Sequence, residues 1–231
     1  MKTALIIGAG PGISASFAKQ LVSAGYRVAV ASRSIEKLAP LATALGAEPF
    51  TVDCSNSDSI VSLFTNVDAA FGQSPEVVLY NASAGFAEAG DVGTIDYTAA
   101  TKSVNISCIG AFVAAQEAGK RMVPQKNGAI FFTGATAGVK AFPKKSVFAM
   151  GKFALRGLAQ SLAKELSPQG IHVCHFVIDG GVRPYRGERV EDLPPDVFTA
   201  DAIATSYMLA LQQPKGAWSW ELELRAKDEK F

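Results

Sequence analysis

The sequence holds 231 residues, 48% of them hydrophobic and 19% charged, with a net charge of +1 at pH 7. That size suits one α/β domain over residues 1–231, with enough apolar residues for a large core. The near-neutral charge gives no sign of a nucleic-acid or acidic-membrane partner, for which a basic face would be expected, and no run approaches the roughly 18 apolar residues of a membrane span.

Met1, Lys2 and Thr3 lead straight into an apolar run and a glycine turn, so no signal peptide is expected. Cys54, Cys108 and Cys174 are scattered and odd in number. They read as reduced, small apolar residues with no metal-ligand spacing, and the expected setting is cytoplasmic. Short β-branched runs at 3–7, 27–31, 49–52, 77–80, 129–133, 171–178 and 219–224 are the strand candidates. Most lack polar alternation, as strands covered on both faces do. Helical spacing fills 12–24, 35–46, 56–72, 96–123, 144–167 and 200–212, the fifth stopping at Pro168 and Gly170. Strands alternating with helices predict a Rossmann-type, doubly wound α/β fold: a seven-stranded, mostly parallel sheet with helices on both faces. One irregular stretch, about 179–198, is rich in Gly, Pro and charge. It leaves a strand's carboxyl end, where open α/β sheets bind ligands, and is expected to be the substrate loop.

The first strand delivers Gly8-Ala9-Gly10-Pro11-Gly12-Ile13-Ser14 into a helix. A tight turn of glycines lets a pyrophosphate approach backbone N–H groups at the positive end of a helix dipole. The second strand ends in Ala31-Ser32-Arg33-Ser34, where many NAD-binding domains place an acidic residue. A hydroxyl followed by a guanidinium suits a 2′-phosphate, so NADP(H) is favoured over NAD(H); alternatively Arg33 is a solvated helix-start residue.

These segments resemble the short-chain dehydrogenase/reductase family over almost the whole chain. Gly8 and Gly12 keep two glycines of its first turn, with Ile7 in place of a Thr and Ser14 in place of the last Gly. Asp53, followed by Cys54, resembles the adenine-contacting Asp, and Tyr80-Asn81-Ala82-Ser83 the N-N-A-G motif. Asn105 resembles the helix asparagine of the catalytic tetrad. Ile178-Asp179-Gly180-Gly181-Val182 resembles the segment whose backbone holds the nicotinamide carboxamide, with Asp179 replacing a proline. The resemblance implies cofactor contacts from Gly8, Gly10, Gly12, Ile13, Ser32, Arg33, Asp53, Cys54, Asn81, Ala82, Lys152, Gly180 and Val182. It also implies a homodimer or homotetramer, with Ile109, Phe112, Val113, Phe153 and Leu162 suited to pairing helices.

The active site departs from the family pattern. The Y-x-x-x-K motif falls on Phe148-Ala149-Met150-Gly151-Lys152, and the catalytic serine falls on Ala135, counted from Gly138. Enoyl reductases place a tyrosine seven residues before the lysine, and that position is Lys145. The remaining tetrad candidates are Lys152 and Asn105. Substitute proton donors are Lys152, Ser146, Thr136 and Asp179, each with a structural alternative: ribose binding for Lys152, capping or turn roles for the others. His175 is expected to be a hydrogen-bonded core histidine. Tyr185 with Arg183, Arg186 and Arg189 either receives an acidic substrate or belongs to a solvated, self-paired surface with Glu188, Glu191 and Asp192. Two functions follow from the resemblance: an NADP(H)-dependent oxidoreductase of a small carbonyl or conjugated alkene, or a non-catalytic NADP(H) sensor or interaction protein. Acid–base help of about 10²–10⁴ in rate is what the missing hydroxyls remove. No metal, nucleic acid or membrane partner is expected beside the small-molecule substrate.

Overall fold

Apolar strands with no polar face must be covered twice, and this chain covers them with two helical layers. The computed structural model describes residues 1–85, 89–183 and 197–227. Seven strands form one sheet: β1 (Thr3–Ile7), β2 (Arg27–Ser32), β3 (Glu48–Thr51), β4 (Val77–Tyr80), β5 (Gly128–Thr133), β6 (Ile171–Asp179) and, last in the chain, β9 (Glu221–Arg225). Their order is β3-β2-β1-β4-β5-β6-β9, and every pairing is parallel. All of β1, β4 and β6 is buried, as strands covered on both faces are, and β6 takes His172, His175 and Asp179 in with it.

Alternate residues of each strand feed two cores. Leu5, Ile7, Val78 and Phe132 join the core beneath α3 (Ser57–Phe71), α5 (Gly110–Met122) and α6 (Ser146–Leu166). Ile6, Val28, Leu79 and Phe131 join the opposite core beneath α1 (Ile13–Ser23), α2 (Ile35–Leu45) and α7 (Ala200–Leu211). In the second core the Phe17 and Tyr207 rings meet edge to face at 5.5 Å, and Phe131 meets Phe176 at 5.2 Å. Such pairs add about 0.5–1.5 kcal/mol beyond area burial. Asn56 caps α3 by accepting from the Asp58 and Ser59 N–H groups, and Gly72 ends it at φ 70°. As the sequence predicts, α6 stops before Pro168 and Gly170, the latter at φ 86°.

Two expectations need correction. The segment 96–123 is not one regular helix: α4 (Tyr97–Val104) passes through a π-helical turn, Asn105–Ile109, before α5. The stretch 179–198 is not wholly irregular, because β7 (Gly181–Arg183) pairs in parallel with β8 (Val197–Thr199) in a separate two-stranded sheet. Residues 184–196 between them, with Tyr185, Arg186, Glu188, Arg189, Glu191 and Asp192, lie outside the described residues. No described helix is long and apolar enough to cross a membrane.

The chain turns in opposite directions from β1, toward β2 on one side and β4 on the other. The loops after those strands therefore part, leaving a crevice at the strand ends.

Candidate active site

The turn after β1 is held by the side chains of Ser14 and Asn81. Gly8 takes φ 86°, and a Cβ on it would lie 2.4 Å from the Ala82 backbone nitrogen. Glycine is required there for both conformation and space. Asn81 Nδ2 donates to the Gly8 carbonyl at 3.2 Å and to Ser14 Oγ at 2.9 Å, and Ser14 Oγ donates to the same carbonyl at 3.1 Å. Ser14, which replaces a glycine of the family pattern, thus braces the turn. No side chain caps α1, and Cβ atoms on Gly10 or Gly12 would meet nothing within 4 Å. Open space before bare helix N–H groups fits a dinucleotide pyrophosphate.

Two cavities flank the end of β2. One, of about 550 Å³, is walled by Gly8, Ser32, Arg33, Asp53, Cys54, Asn81, Ala82, Lys102 and Ile106. The other, of about 520 Å³, is walled by Gly10, Ser32, Arg33, Ser34 and Lys37. Asp53 Oδ1 accepts from the Ser55 hydroxyl and N–H at 2.7 and 2.9 Å, bonds that hold its pKa below the usual range. Burial pushes the Cys54 thiol up to about 11, so it stays protonated. Lys37 and Lys102 were not among the predicted residues. Lys37 stands four residues after Arg33, a spacing that sequence could have offered.

A third cavity, of about 690 Å³, opens beyond Asn81. Its wall includes Ile13, Ser83, Ala135, Thr136, Phe142, Lys145, Phe148, Lys152, Asp179, Gly180 and Val182. It brings together most of the residues singled out for catalysis and for the carboxamide. Lys152 is only 4% exposed. Its Nζ donates to the Thr133 carbonyl at 2.8 Å and stands 5.8 Å from the Phe148 ring centre. Burial brings its pKa down to about 8. Thr136 donates to Asp179 Oδ1 at 2.5 Å, and Arg225 pairs with the other carboxylate oxygen at 2.5 Å. Ser146 starts α6 and Gly12 precedes α1; neither is in the wall.

Asn105 departs from expectation. It lies outside all of these walls and opens the π turn, its carbonyl accepting the Gly110 N–H. The turn is pinned from behind: the Tyr80 hydroxyl donates to the Ile106 carbonyl at 2.5 Å. A Cβ on Gly110 would lie 2.4 Å from that hydroxyl, and one on Gly151 2.7 Å from Ser107 Cβ, so the turn packs closely on both β4 and α6.

Beneath the cavity, His175 is fully buried, its Nδ1 3.0 Å from Glu221 Oε2. Glu221 in turn receives two bonds from Arg156, at 2.7 and 2.8 Å. Burial lowers the His175 pKa to about 4, leaving a neutral core histidine, as expected. Its Nε2 has no partner among the described residues.

The short chain dehydrogenase family model matches residues 2–184. A short chain aldehyde dehydrogenase from Euphorbia lathyris is 30% identical over 206 residues, 86% of this chain and 71% of that protein. The crystal structure of a short-chain dehydrogenase from Rhodopseudomonas palustris shares 33% identity at a TM-score of 0.82, covering 97% of this chain and 98% of that one. A metagenomic short-chain oxidoreductase in complex with NADP shares 26% identity at a TM-score of 0.84, with 96% of each chain covered. The chain belongs to the short-chain dehydrogenase/reductase family of nicotinamide-dependent oxidoreductases.

Proposed function

We propose that this protein is an NADP(H)-dependent oxidoreductase of a small carbonyl or conjugated alkene in which Lys152 steadies the developing oxyanion and donates the proton. The observation that carries this reading is the buried ammonium of Lys152, with a pKa of about 8, in a cavity wall it shares with Ala135 and Phe148. Those two apolar residues stand for the family's serine and tyrosine. A nicotinamide bound at the strand ends supplies the hydride, and one proton completes addition across C=O or C=C. Gly8, Gly10, Gly12 and Ile13 would hold the pyrophosphate, and Asp53, Cys54, Asn81 and Ala82 the adenosine. The carboxamide would meet Gly180 and Val182. Ser32, Arg33 and Lys37 around one cavity favour a 2′-phosphate, hence NADP(H) over NAD(H).

Thr136 is committed to Asp179, and Thr133 Oγ1 shares a hydrogen bond with the Tyr207 hydroxyl at 2.9 Å. A conjugated alkene suits this wall best: there Lys152 needs only to steady the enolate oxygen, and water delivers the one proton to carbon, whereas for a carbonyl Lys152 itself donates it. Asn105 would act on the site from the π turn, as a support to α6.

The test follows loss of NADPH absorbance with a panel of enones and carbonyls. The rate should fall as pH rises through about 8, where the ammonium loses its proton. Lys152→Met should lower kcat by about 10²–10⁴ with NADPH still bound. Tight NADPH binding without turnover would favour a cofactor sensor instead; failure to bind either dinucleotide would overturn both readings.

A further inference from the structure

Where β6 ends, Asp179 stands in place of the family's proline, and Gly180 and Gly181 follow. A proline ring fixes its own φ, whereas glycine is the least restrained residue of a chain. The segment that would meet the carboxamide therefore leaves the sheet without a covalent restraint. Side chains from the neighbouring strand ends supply one. Asp179 is 5% exposed, and each of its carboxylate oxygens has a partner. Thr136, just past β5, donates to Oδ1 at 2.5 Å. Arg225 ends β9 directly opposite Asp179 in the register, and its Nη1 meets Oδ2 at 2.5 Å. The Ala226 N–H donates to the Asp179 carbonyl at 3.0 Å, so backbone and side chain are tied to the same strand end. Because β6 lies between β5 and β9, this one buried carboxylate joins the ends of all three. Charge-assisted bonds are roughly twice as strong as neutral ones, and a buried carboxylate that loses its cation is strongly disfavoured. Thr136, Asp179 and Gly180 share the cavity wall with Lys152, yet the proposed proton transfer uses none of them.

We propose that Asp179, clamped between Arg225 and Thr136, is a positioning residue that fixes the Gly180 backbone and with it the orientation of the nicotinamide. The clamp takes the part that a proline ring would play, and it draws the last strand of the sheet into the site. Its reach is confined to one end of the cofactor. Ser32 and Arg33, proposed for the 2′-phosphate, stand at the end of β2, four strand positions from β6, or about 19 Å at the usual spacing. Breaking the clamp frees the nicotinamide end and leaves the adenosine end held. The inference rests on the NADP(H)-reductase reading of the same site, and the experiment separates their failures.

Asp179→Asn keeps the shape of the side chain and removes its charge, Arg225→Met removes the cation, and Arg225→Lys retains it. Thr136→Val, the mildest change, removes a single bond. Time-resolved fluorescence anisotropy of bound NADPH follows motion of the dihydronicotinamide, a readout that a loss of overall stability does not by itself alter. Calorimetry gives Kd for NADPH and for adenosine 2′,5′-bisphosphate, which carries only the adenosine end. In Asp179→Asn and Arg225→Met the bound ring should gain a fast depolarising motion, and kcat with an enone should fall about tenfold or more. Affinity for the bisphosphate should stay at the parent value. Arg225→Lys should recover most of the loss, and Thr136→Val should show the same motion in weaker form. A ring as rigid as in the parent, or equal loss of affinity for NADPH and the bisphosphate in every variant, overturns the clamp and leaves the reductase reading standing. Clamp-dependent rigidity without turnover of any compound keeps the clamp and removes the reductase.

Discussion

Gly134 sits between the carbonyl that fixes Lys152 and the residue at the serine position, and it has no room for a side chain. A Cβ there would lie 2.3 Å from His175 Nε2, 2.6 Å from His175 Cε1 and 2.7 Å from the Phe176 carbonyl oxygen. The imidazole cannot swing away cheaply, because its Nδ1 is tied to Glu221 and the ring is fully buried. Gly134→Ala must therefore displace the end of β5. Overpacking of this kind costs about 1–3 kcal/mol, and three contacts under 3.0 Å place it near 3. Urea unfolding measures the loss directly. Two of the three contacts belong to one side chain, so a double-mutant cycle with His175→Ala isolates the clash. The double variant should be less destabilised than the sum of the singles by about 1 kcal/mol or more. A Gly134→Ala protein as stable as the parent would refute the reasoning, as would additive effects in the cycle.

Phe148→Tyr together with Ala135→Ser should return the phenol and hydroxyl to the wall beside Lys152 and raise carbonyl reduction by about 10²-fold or more; no gain in kcat with NADPH bound would count against the assignment of those two positions. Tyr80→Phe should leave the Ile106 carbonyl without its 2.5 Å donor, costing about 1–3 kcal/mol in urea unfolding. It should also weaken NADPH binding, because Ile106 walls the cavity beside Asp53; unchanged affinity would show that the pin does not reach the cofactor. Acidification should destabilise the protein between about pH 6.5 and 4. The His175 pKa is lower folded than unfolded, so the unfolded chain takes up the proton first. Glu221 acts in the same direction: burial opposes it, but Arg156 and His175 hold its pKa below the usual value. The His175 share is about 3 kcal/mol, and an acid slope unchanged in His175→Gln would contradict it.

The parts of the fold readable in the sequence were those with a strong local signature. β1 and β4 run over 3–7 and 77–80 as predicted, because each is a short apolar run bounded by turn residues. The first turn was readable for a similar reason, its glycines being demanded by contacts such as that of Gly8 with Ala82. The π turn was not, since one added residue within a long apolar segment leaves no turn or breaker residue to mark it, and its bond from the Gly110 N–H to the Asn105 carbonyl is visible only in the structure. Nor was the β7–β8 pair, whose partners are far apart in sequence and only three residues long. Thr136 and Asp179 were each read as a lone polar group, and their mutual bond spans 43 residues. Pairings of that kind are set by the sheet, which brings the ends of β5 and β6 together.

One extra residue in a helical turn rotates everything after it by about 100° relative to everything before. In this protein that twist lets a single rod serve two masters: upstream, Ala99, Lys102 and Ser103 border the nucleotide crevice, while downstream Ala111, Ala114, Ala115 and Ala118 lie flat on the sheet. Excising one residue from Asn105–Ile109 would straighten the rod, but only by swinging one of those two sets out of alignment. A one-residue deletion in this stretch should therefore cost more stability and cofactor affinity than a substitution there.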